Sequence, residues 1–322
     1  MLRLSLAILS LSPVLVAQAA APGEQVPDVE FPAFANGDGR QQLSQFRGEP
    51  VLVCTFSDVW GGTAASDKAC KLKEQHDELV VILMHTEGGG TFGDAAKGVD
   101  LGAWAMRRYP GADVRLCPVV KSPPWQWQNT GKPPYFAVVG ADGRLVAVGT
   151  MEKGSRALEE AVDTAIDQFG AGWGDGDEPA VRKLLYKKGD LGAARSKAPV
   201  TMLGEVRGVF ARRCAVVEWL LDDGQWLRAK EQLDELTQAA EGDEEWTAAA
   251  AGLAARFTAD EGKQELELAG KLQRLLKPLA KKGPDKNVPK KLREFAEKAN
   301  GTSVGARAGR LAALTEQAVA VR

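Results

Sequence analysis

The sequence predicts an α/β unit followed by an all-α unit, and three observations carry that reading. From about Val26 to Phe169, short β-branched and aromatic runs alternate with stretches of helical length, the pattern of an α/β domain. Within that region, Gly140-Ala141-Asp142-Gly143 separates two apolar runs, as the turn of an antiparallel hairpin would. Beyond residue 180, apolar residues recur every three or four positions almost to the end of the chain, which is the period of amphipathic helices.

The elements follow in order. Met1-Leu2-Arg3, an apolar stretch from Leu4 to Val16 and the small-x-small triplet Ala17-Gln18-Ala19 predict a secretory signal over 1–19, too short for a comfortable span. Strands are expected over Val51 to Phe56, Leu79 to Thr86, Val114 to Val120, Tyr135 to Val139 and Arg144 to Val148. A helix is expected over Ser66 to Glu78. Another closes the unit, with Leu158, Val162, Ile166 and Phe169 on one face. The α/β domain is thus placed at 20–169. Residues 170–179, with four glycines, three acids and a proline, read as a linker, and 180–322 as a helical domain. There, Leu203, Val206, Phe210, Cys214, Val217 and Leu221 share one face, and similar stripes follow from Trp226, Trp246 and Leu268. Turn signals at Gly189-Asp190, Asp223-Gly224 and Gly301-Thr302 give helical hairpins of loosely tetratricopeptide-like length with irregular spacing.

Composition narrows the function. Of 322 residues, 41 are Lys or Arg and 43 Asp or Glu, a formal net charge of −2. That balance argues against nucleic-acid binding through a broad basic face, which must neutralise many phosphates. Two histidines rule out a multi-histidine metal centre, and four cysteines are too few for a disulfide-built scaffold. No later segment has the roughly 18 unbroken apolar residues of a membrane span, so the mature protein is expected to be soluble and exported, periplasmic or extracellular. Neither a metal nor a cofactor is predicted. Gly88-Gly89-Gly90 lacks the Gly-Lys-Ser/Thr of a phosphate loop, and no G-x-S-x-G or H-E-x-x-H motif is present.

Several segments taken together resemble the thioredoxin-like fold, in particular exported redoxins of the thiol-disulfide exchange type. Pro27-Asp28 with Phe31 is similar to the opening P-D-F of that family. Asp38-Gly39-Arg40 and the run from Leu43 to Val53 resemble its D-G-x-x-x-x-L-S-x-F-R-G-K-P-V-L-V lead-in. Pro134-Tyr135-Phe136-Ala137-Val138-Val139, with Asp142-Gly143-Arg144-Leu145-Val146, resembles its P-T-x-F-x-I-D-x-D-G-x-I-V tail. The fold class implied is an α/β thioredoxin-like domain, a central mixed sheet flanked by helices, ahead of an all-α helical-repeat-like domain. The resemblance also implies that Pro134 matches the family's cis-proline, beside which a peptide strand docks.

The family carries W-C-x-x-C after its first strand, where this chain has Trp60-Gly61-Gly62-Thr63-Ala64. Trp60 is kept, and both redox cysteines are replaced, by Gly61 and Ala64. Dithiol exchange needs one thiol activated at the helix start and a second to resolve the mixed disulfide. Glycine and alanine do neither. The alternative redox candidates are Cys54, Cys70 and Cys117, each read as a buried small hydrophobe or as a relocated thiol. Strand alternation, with Thr55 facing the motif helix as in the family, turns Cys54 to the opposite layer and disfavours a Cys54–Cys70 bridge. Binding candidates are Pro134 and Tyr135, with Trp125 and Trp127 in the Pro- and Trp-rich stretch 122–129; the tryptophans alternatively pin a loop to the core. His85, without a second ligand at recognisable spacing, is a weak metal or acid–base candidate. Lys281-Lys282, Lys286 and Lys290-Lys291 form a basic patch that contacts an anionic partner or is simply solvated.

Two functional readings result. The preferred one is a non-catalytic protein-binding or adaptor module whose partner is another exported protein or a peptide. The alternative is a thiol-disulfide oxidoreductase using relocated cysteines.

Overall fold

A computed structural model describes residues 20–56, 63–86, 100–118, 134–151 and 155–320. The signal-like 1–19, the motif residues Trp60, Gly61 and Gly62, the glycines 88–90 and the tryptophans Trp125 and Trp127 lie outside the described residues.

Five strands form one mixed sheet: β1 (Val51–Phe56), β2 (Val80–His85), β3 (Arg115–Pro118), β4 (Tyr135–Val139) and β5 (Leu145–Thr150). Their order is β3-β2-β1-β4-β5. The first three run parallel, β4 is antiparallel to β1, and β5 is antiparallel to β4 across the predicted turn. Helix α1 (Ala64–Gln75) connects β1 to β2, α2 (Leu101–Arg108) connects β2 to β3, and α3 (Ser155–Ala171) follows β5. Asp100 accepts hydrogen bonds from the backbone N–H groups of Gly102 and Ala103 and so fixes the start of α2, a helix the sequence reading missed.

Strand alternation sorts the core into two layers. Leu52, Cys54 and Phe56 face Ala69, Cys70 and Leu72 of α1 and Leu158, Ala161 and Val162 of α3. Val51 and Val53 face the other way, against Phe31, Leu43 and Phe46 of the N-terminal arm. The expectation that Cys54 turns away from α1 is therefore wrong. The reason lies at Thr55, whose hydroxyl accepts a hydrogen bond from the Tyr135 N–H (2.7 Å) instead of facing the helix.

The arm covers the second face without forming a long strand. Asp28 accepts from both the N–H and the hydroxyl of Ser44, at 2.8 and 2.7 Å, and so braces the 3-10 turn Leu43–Phe46. That turn drops Leu43 and Phe46 into the core. The Ala35 N–H then reaches the Leu116 carbonyl of β3.

The second half is helical: α4 (Glu178–Arg182), running into a π-turn at Lys183–Lys187, α5 (Leu191–Lys197), α6 (Leu203–Asp222), α7 (Trp226–Ala239), α8 (Glu244–Thr258), α9 (Asp260–Lys282), α10 (Val288–Lys298) and α11 (Ser303–Ala320). The predicted apolar stripes point into one core, with Val206, Phe210, Val217, Trp226, Leu233 and Trp246 among its buried members. Asp190 and Asp243 cap α5 and α8. A buried carboxylate, Glu265 of α9, accepts from the N–H groups of Ser303 and Val304 and supplies the N-terminal cap of α11 from a neighbouring helix. Lengths from 5 residues in α4 to 23 in α9 follow no fixed repeat.

The glycine-rich stretch 170–179 joins the end of α3 to the start of α4 through a packed turn over 172–177. Trp173 stacks on Tyr186 with ring centroids 5.4 Å apart, and Arg182 lies over the Trp173 ring and donates to its carbonyl. The helices also touch the sheet unit elsewhere. Met106 of α2 joins the helical core, and Leu314 of α11 lies against Gly102. Gly39 and Gly48, both with positive φ (+89° and +98°), let the arm approach the rings of Trp219 and Tyr186. A Cβ at Gly39 would sit 2.6 Å from Trp219 Cγ, and one at Gly48 would clash with one edge of the Tyr186 ring. Gly48→Ala combines a left-handed backbone with overpacking and should lower stability by about 2–4 kcal/mol. A urea titration checks this, the near-UV signal of the tryptophans and the far-UV helix signal falling together at a lower midpoint.

Candidate functional site

The first candidate region is the end of the sheet where β1 and β2 stop. Phe56 pairs with His85, and His85 with Pro118, so three strand ends converge there. Ala64 begins α1 and is exposed; Thr63 before it has helical dihedrals and makes no side-chain cap. A helix N-terminus attracts negative charge, but at this one Ala64 presents a methyl group.

The negative charge near this terminus belongs to Asp67. Its carboxylate accepts from Arg108 at 2.8 and 3.1 Å and from the Tyr109 hydroxyl at 2.6 Å, clamping the first turns of α1 to the end of α2. Tyr109 also meets the buried Ser66 hydroxyl at 2.8 Å. Burial, followed by the neighbouring Asp67 carboxylate, pushes the Tyr109 phenol well above its ordinary range, so it stays a donor. An aromatic chain runs alongside. Phe56 stacks on Trp104 with centroids 4.7 Å apart, Trp104 meets Tyr109 edge-on at 5.4 Å, and buried His85 lies 5.3 Å from Phe56. Among the described residues no cluster of three or more His, Cys, Asp or Glu is disposed to hold a metal.

Pro134 and Tyr135 come to the same end of the sheet. The Pro134 carbonyl accepts from the Met151 N–H at 2.9 Å, and the Tyr135 N–H donates to Thr55. Both backbone groups are thus used within the sheet unit.

The cysteines are dispersed by layer. Cys54 and Cys70 share the helix-covered face, Cys117 lies on the arm-covered face, and Cys214 flanks the helical core. Cys54 and Cys117 are inaccessible and Cys70 is 7% exposed. Burial raises every thiol: Cys70 to about 12, with Asp67 and Glu74 contributing, Cys117 to about 12, Cys214 to about 11, and Cys54 beyond these.

A second region was not found from the sequence: a polar crevice of about 460 Å³ between the arm and helices α6 and α7, lined by Arg40, Glu49, Arg212, Arg213, Glu231 and Glu235, among others. It adjoins a hollow of about 440 Å³ with which it shares Arg47, Tyr186 and Arg212. Its floor is a buried charge cluster. Asp38 accepts from Arg115 at 2.7 Å and from Arg40 at 2.8 Å, and Arg40 also pairs with Glu49. Both guanidinium groups stack on Phe46, at 4.5 and 5.2 Å from the ring centroid. Burial works against the Asp38 charge, and the two arginines overcome it, holding the carboxyl well below the usual carboxylate range. The signal available beforehand was the Asp38-Gly39-Arg40 triplet, but nothing local reveals that Arg115 is its partner.

The comparisons with known proteins bear on the fold. No family profile matches the chain, and no curated protein matches it. Solved structures do. A thioredoxin-like superfamily protein is 15% identical, covering 44% of this chain and 96% of its own, with a TM-score of 0.36. A thiol-disulfide isomerase from Corynebacterium glutamicum is 14% identical (44% and 94%, TM-score 0.35). An exposed lipoprotein thioredoxin from Streptococcus pneumoniae is 17% identical (43% and 99%, TM-score 0.32). The sheet with its flanking helices has a thioredoxin-like fold, and the rest of the chain is helical. No helix among the described residues is long and apolar enough to cross a membrane.

Two predictions follow from this chemistry. With three thiols buried and those of Cys70, Cys117 and Cys214 raised to about 11–12, alkylation of the folded protein at pH 8 should run on the order of a hundredfold or more below a free thiol. Mass spectrometry after iodoacetamide pulses should find four modified cysteines only in denaturant. Asp38→Asn leaves Arg115 buried without its carboxylate and should cost about 3 kcal/mol at pH 7 by urea unfolding. Because the Asp38 carboxyl is depressed below its ordinary 3.8, its contribution is complete above about pH 4 and is lost as pH falls below that. The variant should therefore show a shallower acid decline than the natural chain.

Proposed function

We propose that this chain is an exported, non-catalytic thioredoxin-fold module whose helical half, packed against it, supplies a protein-binding surface. The observation that carries the reading is the state of the thiols. The positions where redoxins place their cysteine pair hold Gly61 and Ala64, and no remaining cysteine is both accessible and acidified. Thiol-disulfide exchange needs a thiolate that a substrate disulfide can reach. Cys54 and Cys70 share a layer, yet each sits where burial favours the neutral thiol.

The binding surface fits the crevice between the arm and helices α6 and α7. Charged walls of both signs suit a polar peptide or the surface of another exported protein. Domain limits of 20–169 and 180–322, with export directed by 1–19, belong to this proposal. The solved thiol-disulfide isomerase and lipoprotein thioredoxin support it through fold alone.

The test is a gain of function. In glutathione buffers spanning the range of exported compartments, the natural chain should show no reversible two-electron couple. The double variant Gly61→Cys/Ala64→Cys should acquire one, together with insulin-reductase activity. Exchange by the natural chain that disappears when Cys54 or Cys70 is changed to serine would instead establish the oxidoreductase reading.

A further inference from the structure

The helical half carries a charge distribution that its own packing does not explain. Between residues 271 and 293 there are nine Lys or Arg and a single acid, Asp285, whereas the remainder of the chain holds ten more acids than bases. The cations are ordered. Lys271, Arg274, Lys277 and Lys281 recur at three- and four-residue steps and form one stripe along α9. Ala269, Leu272 and Leu279 point the opposite way, into the helical core. The stripe continues through Lys282 and Lys286 around the turn after α9 and onto Lys291 in the first turns of α10.

Internal electrostatics account for only part of this. Lys271, Lys290 and Arg293 pair with Glu267, Glu294 and Glu316. Arg274, Lys277, Lys281, Lys282, Lys286 and Lys291 are all exposed, and none has an ion-pair partner among the described residues. Cations at a helix C-terminus complement its dipole, which explains Lys281 and Lys282. The same rule makes Lys290 and Lys291 unfavourable, since they stand near the N-terminus of α10. Six unpaired cations along the end of α9, its closing turn and the start of α10, with Lys291 against a helix dipole, repel one another and call for an anion from outside.

We propose that the outward stripe of α9 and the turn joining it to α10 form an electrostatic docking face for an anionic phospholipid surface. Residue type favours lipid over protein. Seven of the nine cations are lysine, which protein interfaces deplete while enriching arginine; a compact, hydrated ammonium suits a fluid field of headgroups. The stripe has no aromatic side chain on which a nucleobase would stack. Val200, on a different segment, is the one large hydrophobic side chain standing in solvent among the described residues, so attachment is by charge without insertion. The inference does not depend on the thiol chemistry or on the crevice.

The test is co-sedimentation of the full chain with vesicles of phosphatidylglycerol and phosphatidylcholine in equal parts, against phosphatidylcholine alone. Binding to the anionic vesicles only, at roughly 0.05 M salt and lost at roughly 0.5 M, is expected. The variant Lys277→Gln/Lys281→Gln/Lys282→Gln/Lys286→Gln, with its thermal midpoint checked, should bind on the order of a hundredfold more weakly, at several-fold per lysine. Three results would overturn the proposal. They are equal binding to neutral vesicles, undiminished binding by the folded variant, and tighter binding to a single-stranded oligonucleotide than to anionic vesicles at the same salt.

Discussion

The ion pair between Asp38 and Arg115 is the constraint on which the rest of the molecule hangs. Arg115 opens β3, the sheet's outer parallel strand, and its side chain is almost wholly out of solvent. A guanidinium in that position must be neutralised where it stands. Asp38 does this from the arm, and Arg40 and Glu49 extend the cluster toward the crevice. An arm fixed in this way holds Phe31, Leu43 and Phe46 over the face of the sheet that no helix of the sheet unit covers. It also delivers Gly39 and Gly48 to Trp219 and Tyr186. One buried electrostatic contact thereby completes the core layer and sets the wall of the groove between the two halves. The arrangement is not free of cost, for Arg115 Nε is buried without a hydrogen-bond partner among the described residues.

Much of the fold was legible because its signals are local. The β-branched and aromatic runs Val51–Phe56 and Tyr135–Val139, the Gly-Ala-Asp-Gly turn and the stripes from Leu203 onward need no partner to be read. What escaped were features decided by distant contacts. Helix α2 rests on the Asp100 cap and on packing by Ala103 and Ala105, without a long apolar period. The orientation of Cys54 was misassigned because it was taken by analogy from Thr55, whose hydroxyl instead serves the Tyr135 backbone. The crevice combines the arm with α6 and α7, about 170 residues further along the chain, and no spacing rule reaches that far. Four glycines between 170 and 176 resembled a tether, since composition does not reveal that Trp173 finds Tyr186.

The fate of the thiols is a consequence of the same architecture. A redoxin thiol is acidic because it stands at a helix start, half in water, with the positive end of the helix beneath it. In this chain the first turns of α1 are tied instead to α2 through Asp67, Arg108 and Tyr109. That clamp pairs Asp67 with Arg108 and offers no cation to a thiolate at the helix start. Cys70, further along α1, is raised by burial and then by Asp67 and Glu74. Sequence substitution and local electrostatics thus point the same way.

The attachment of the helices bears on how a bound partner would be felt by the sheet. A ten-residue flexible tether would leave the two halves independent, with a surface between them that opened and closed. Here the joint is bridged at separate places: Trp173 on Tyr186, the two arm glycines on Tyr186 and Trp219, and α2 on α11. Contacts so spread resist hinge motion about any single axis, because relieving one strains another. Tyr186 belongs to the stacking pair, to the glycine contact and to the lining of both hollows, and its hydroxyl donates to Glu205 of α6 at 3.0 Å. Displacing that ring would release the arm, the Trp173 turn and the crevice wall together. A ligand in the crevice would therefore meet a groove already braced at several places and lose little affinity to ordering it.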